Sequence, residues 1–146
     1  MPGFTALCKE KLGLPATPIH SASHNGTTNT GTIDMSLFHR AMFLGDVGTL
    51  GASATLDASL FQSDNSNGTG ATNIASSSIA QISAANSTWT QEINATQLTK
   101  RYVLCSTVNA IAASVYGVYA IGVDPRNAPA NTNDVSDVVQ RFAQAT

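Results

Sequence analysis

The chain has 146 residues, carries a formal net charge of −2, and only 11% of its residues are charged. A single domain of this size folds without a metal or disulfide staple, and seven Lys and Arg against nine Asp and Glu leave no basic footprint for nucleic acid. The polar surface must come from Ser, Thr, Asn, Gln and Gly. Such a surface costs little to desolvate under a partner and suits a packed subunit better than a solitary enzyme.

Phe4, Leu7, Cys8 and Leu12 fall at helical spacing before Gly13, which predicts a short amphipathic helix with a glycine stop. Lys9, Glu10 and Lys11 interrupt the apolar core that a leader peptide needs, so no secretory signal is expected. No apolar run reaches membrane-spanning length either. Cys8 and Cys105 are the two cysteines, and without export they are expected as free thiols. Leu14 to Thr32, "LPATPIHSASHNGTTNTGT", mixes prolines, glycines and small polar residues with no periodicity. It reads as an extended arm, ordered only where it lies on another surface. Residues 1–34 thus form a short helix and an arm.

Residues 35–124 form the body. "MSLFHRAMFLGDV" places Met35, Leu37, Ala41, Phe43 and Val47 on one parity and Phe38, Met42 and Leu44 on the other, the pattern of a central strand with two apolar faces. Ala54, Leu56, Ala58 and Leu60 alternate with Thr55, Asp57 and Ser59 in a half-exposed strand that runs to Phe61. Ser63–Ala71 is a loop rich in Asn, Asp and Gly, and Ile74, Ile79 and Ile82 mark one or two short strands. Trp89, Gln91, Ile93 and Ala95 share the next inward parity. "RYVLCSTVNA" and "ASVYGVYAIGV" follow as a predicted hairpin joined by an Ala-rich turn. Leu98 four residues before Tyr102 has the spacing of a tyrosine corner.

Strands at roughly ten-residue spacing with no long helix between them predict an all-β fold. The expected form is an antiparallel β-sandwich, immunoglobulin-like or jelly-roll-like. Residues 125–146 form a C-terminal arm. In it Val135, Val138, Val139 and Phe142 stand at i, i+3, i+4 and i+7, a short helix capped by Asn133 or Asp134. Its apolar stripe needs a surface, on its own body or on another subunit.

Chemistry is sparse along the chain. His20 and His24 have helical ligand spacing in an irregular segment and lack the tight cysteine pairs of a zinc site, so no metal and no cofactor are expected. His39 sits on a strand among apolar neighbours. Serines, histidines and aspartates are present without a Gly-x-Ser-x-Gly elbow, and no carboxylate pair stands out. No catalytic residue is assigned, and the protein is not expected to be an enzyme. Trp89 is expected in the core, and one of Tyr116 and Tyr119 is expected to be exposed.

Taken in order, "GLP-T-P-H" from Gly13 to His20, "FHRAMFLGDVG", "LFQSDNSNG", "RYV" and "GVDPR-AP" resemble small virion proteins of tailed bacteriophages. Several of these are capsid decoration, or cement, proteins encoded near the major capsid gene. The resemblance implies a β-sandwich with arms, made in the host cytoplasm and displayed on the capsid surface. It implies the major capsid protein as partner, a homo-oligomer such as a trimer, and no nucleic acid, membrane or cofactor. Attachment is then expected through the arms, at Pro15, Pro18, Ile19 and His20 and at Val135, Val138, Val139 and Phe142. Deleting Met1–Thr32 should then abolish capsid binding while the sandwich still folds. The alternatives are a head–tail connector, neck or tail subunit, or a carbohydrate-binding module.

Overall fold

The computed structural model describes residues 12–13 and 15–126. Eight strands follow in chain order: β1 (Leu12–Gly13), β2 (Ile19–Asn29), β3 (Ile33–Asp34), β4 (Phe38–Val47), β5 (Thr55–Ser63), β6 (Thr72–Asn73), β7 (Ser87–Asn94) and β8 (Tyr102–Pro125). A single 3-10 turn, Ala95–Gln97, sits between β7 and β8. The protein is all-β and antiparallel.

All eight strands belong to one sheet, with the path β6-β5-β8-β4-β7 and with β1, β2 and β3 also paired to β8. The reason is the length of β8, 24 residues. Its first half pairs β5, from Ser63↔Tyr102 to Thr55↔Ala110. Its second half pairs β4, from Val47↔Tyr116 to Phe38↔Pro125. Where separate sheets were expected, one strand stitches the two halves together. A strand that long cannot stay flat, because twist accumulates along it. The sheet curls until β7 faces β5, and Gln91 Nε2 donates to the Ala58 carbonyl at 3.4 Å.

The inward parities of the strands fill the space enclosed by the curl. Phe43 and Val47 of β4, Leu56 and Leu60 of β5, and Tyr116 and Val118 of β8 are all buried, with Trp89 of β7 and Ile33 of β3. Two glycines make room for rings. A Cβ on Gly45 would run into the Trp89 indole, and one on Gly122 would lie 2.5 Å from Phe38. Strand β4 does lie between β7 and β8; Ala41, Phe43 and Val47 of one parity are buried, whereas the other parity is buried at Phe38 and half-buried at Met42. Leu44, on the other parity, is 37% exposed.

The expected arm is a strand of the body. β2 has eleven residues and follows β8 from Ile19↔Val118 to Asn29↔Ser106. Most of its side chains are exposed, so backbone hydrogen bonds hold it and no apolar alternation marks it in the sequence. The expected hairpin is absent. β8 runs on through the Ala-rich stretch, and residues 110–113 bulge out opposite Asn25 alone, between the pairs Gly26↔Asn109 and His24↔Ser114. Tight two-residue hairpin turns favour glycine or asparagine at left-handed positions, whereas here only Ile111, at φ 76°, is left-handed. Asn109 holds the bulge, donating from Nδ2 to the carbonyls of Ala112 at 2.7 Å and His24 at 3.0 Å.

Tyr102 begins β8, but its hydroxyl has no hydrogen-bond partner among the described residues, so no tyrosine corner forms. Its ring instead lies 5.2 Å from Arg101 Cζ. Phe4, Leu7 and Cys8 of the predicted N-terminal helix lie outside the described residues, and Leu12 falls in β1. The predicted C-terminal helix lies outside them entirely. Among the described residues no helix is long and apolar enough to cross a membrane.

Candidate functional site: an open cleft beside a bare strand edge

An open cleft of about 710 Å³ separates β7 from β5 and the segment after β6. Leu60, Ile74, Ile79 and Ile93 supply its apolar lining, and Gln62, Asn73, Gln97, Glu92 and Ser76–Ser78 its polar groups. The cleft exists because β7 ends the sheet path and does not close against β5. Ile74 and Ile79 follow β5 instead, their amides donating to the Leu60 and Ala58 carbonyls at 2.9 and 3.0 Å.

Gln91 ties the two walls together. It is 7% exposed, and its Nε2 donates to the Ser77 carbonyl at 2.5 Å and to that of Ala58. Its Oε1 accepts from Trp89 Nε1 at 3.3 Å and meets Cys105 Sγ at 3.6 Å. Every polar atom of this buried amide is therefore used, as burial demands. The sequence held the signal, a glutamine on the inward parity between Trp89 and Ile93.

The cleft's one carboxylate is committed elsewhere. Glu92 Oε1 lies 2.6 Å from Arg40 Nη1, and Arg40 Nη2 lies 2.8 Å from Asp124 Oδ2. Hydrogen bonds to Asp124 and Glu92 hold the Arg40 guanidinium above its usual range. The lining contains no second carboxylate, histidine or cysteine. Cys105 is buried beneath it, and burial pushes its thiol up to about 12, which removes the thiolate needed for nucleophilic chemistry. The arrangement can bind neutral polar groups or backbone; it offers no acid–base pair.

The edge beside the cleft is unguarded. Among the described residues β7 pairs only with β4, in unbroken register from Arg40↔Asn94 to Val47↔Ser87. Natural edges are blunted by Lys, Pro or bulges, and "STWTQEIN" has none of these. Its single charge, Glu92, is neutralised by Arg40 from its own sheet.

A second surface lies on the outside of the sheet. The cross-strand pairs Met42↔Ile121 and Leu44↔Tyr119 put four large apolar side chains in one block, with Tyr119 50% exposed and Leu44 37%. Arg40, Glu92 and Asp124 rim one end. Asp46, opposite Gly117, rims the other and has no ion-pair partner among the described residues.

The residues expected to bind a partner are scattered. Pro15 and Pro18 are half-buried and His20 is exposed, whereas Ile19 is 3% exposed and belongs to the core. Val135, Val138, Val139 and Phe142 lie outside the described residues. His24 shares a 2.9 Å hydrogen bond with the His20 carbonyl, and its ring centroid lies 4.8 Å from that of Tyr116. No group of three metal-ligating side chains occurs among the described residues. Trp89 is buried, Tyr116 fully so, and Tyr119 carries the exposed ring.

No protein-family model matches the chain, and no curated protein sequence does. Among solved structures, the fold is similar to that of the PBSX exported protein XepA, with a TM-score of 0.54 and 15% sequence identity. The likeness covers 90% of this chain and 45% of that one, so the chain spans less than half the length of the protein it matches.

Proposed function

We propose that the protein is a bacteriophage structural subunit with no catalytic role. Within that class we read it as a capsid decoration protein that binds the outer shell and ties major capsid subunits together. The bare edge of β7 beside a neutral cleft carries this reading. An extended segment of a partner can add to such an edge through backbone hydrogen bonds, with its alternate side chains entering the cleft. Pro15 and Pro18, just before β2, and His20, at its start, offer a second contact. The fold's likeness to an exported protein of phage PBSX supports a phage setting. Contacts repeated over a lattice add as avidity, so each can be weak. The partner is the major capsid protein, and the subunits associate with one another, as a trimer in the simplest arrangement.

The test is to locate the protein in purified particles by cryo-electron microscopy, beside a Thr90→Lys variant that charges the β7 edge. The expected result is density on the shell that the variant loses while its circular dichroism stays unchanged. Density confined to the neck or tail would move the subunit elsewhere in the virion. Full shell occupancy by the variant would clear the β7 edge of any part in attachment.

A further inference from the structure

We infer that the chain cuts itself at the Asp124–Pro125 bond, the Asp124 side chain attacking its own backbone carbonyl, so that residues 1–124 part from residues 125–146. This is the one Asp–Pro bond in the sequence. It closes β8, where Phe38↔Pro125 is the last pair made with β4.

The backbone at this bond is held in a costly shape. Asp124 has a left-handed φ of 52°. Ser53, Ser76, Asn86 and Ile111 share that region, but none of them precedes a proline. Aspartate tolerates a left-handed φ elsewhere. A following proline ring crowds the residue before it toward extended backbone, at φ of about −120°. Contacts on both sides keep the bond in place. The Arg126 amide donates to the Leu37 carbonyl at 2.8 Å. Arg40 Nε and Nη2 both reach Asp124 Oδ2, at 2.9 and 2.8 Å. Asp124 Oδ1 has no hydrogen-bond partner among the described residues, and the side chain is 36% exposed. One carboxylate oxygen is therefore unengaged and open to water. Strain of this kind persists because its surroundings impose it, and breaking the bond releases it.

The chemistry balances with water alone. Oδ1 bonds to the Asp124 carbonyl carbon and closes a five-membered cyclic anhydride as the C–N bond to Pro125 breaks. The electron pair of that bond stays on the proline nitrogen, which takes a proton from solvent and leaves as a secondary amine. A water molecule then opens the anhydride, and Asp124 becomes a C-terminal residue with two carboxyl groups. Nothing is oxidised or reduced. Carboxylates act as covalent nucleophiles, and attack within one residue has the advantage of proximity. The event happens once per chain and uses no substrate site. It stands whether or not the protein belongs to a particle.

The experiment follows the full chain by intact-mass spectrometry during incubation near pH 5, folded and in urea. Two fragments are expected, 1–124 and 125–146, with masses that sum to the parent plus one water. Imposed backbone strain should make scission roughly tenfold faster in the folded chain than in urea. Asp124→Asn removes the attacking carboxylate, and Pro125→Ala removes the crowding ring. Each variant should stay whole over the period in which the parent is cut. A parent that stays whole, scission no faster folded than in urea, or variants cut at the parent's rate would each overturn the inference.

Discussion

At the scale of single residues, the core is specified by what is missing as much as by what is present. Gly45 is a slot for the Trp89 ring. Gly45→Ala forces the indole out of a packed interior and should cost about 3 kcal/mol, a fall in melting temperature on the order of 10 °C, measurable by calorimetry. Asp34 shows the electrostatic counterpart. Arg101 grips it with two bonds, Nε to Oδ1 at 2.9 Å and Nη2 to Oδ2 at 2.6 Å, and Ser36 donates to Oδ1 from both its amide and its hydroxyl. Chiefly through Arg101, the Asp34 carboxyl is held down at about 2, against an ordinary 3.8. A depressed carboxylate stabilises the fold above its unfolded value and loses that contribution as pH falls through the folded one. Asp34→Asn should therefore lower the melting temperature by a few degrees at pH 7, and the gap should shrink between pH 4 and pH 2. Thermal scans across that range decide it; a gap independent of pH would mean that the pair contributes nothing through its charge.

At the scale of elements, the inward faces of β5 and β7 were legible, because burial on one face alone writes an alternation into the sequence. Leu56, Ala58 and Leu60 were readable for that reason, as was the Asn- and Gly-rich loop after Ser63, where Gly68 and Gly70 take left-handed φ values. β2 was not legible. It is held through its backbone, and its exposed Ser, His, Asn and Thr side chains leave no periodic trace. The continuity of β8 was missed because alanines suggested a turn, although no residue pair there suits a tight one. Deletion of Met1–Thr32 therefore has a different consequence from the one the sequence suggested. It strips the partner from one side of β8 along nearly its whole length, and the truncated chain should fail to fold. Loss of the cooperative thermal transition would show this. A truncated chain that melted like the parent would mean that β2 contributes little.

At the scale of the whole molecule, the organisation turns on one strand with two neighbours on one side and a ribbon on the other. The candidate site was half legible: Gln91 announced itself by parity, but the bare edge of β7 depends on which strands fail to meet, which no local pattern records. The low charge of the chain has its counterpart here, since β7 and β2 both present polar, uncharged or internally neutralised edges. The same feature that unifies the sheet also governs how the molecule must be made. Among the described residues β8 is the last strand in chain order and the partner of β1, β2, β3, β4 and β5 alike, with Leu12 waiting for Val123. During synthesis none of those five can pair with it until Tyr102–Pro125 has cleared the ribosome, and contacts so distant in sequence form slowly. Before then only the β4–β7 and β5–β6 pairings can form, and the nascent polypeptide carries few charges to keep its other strand edges apart. Exposed strand edges at that stage are where such a chain is open to aggregation.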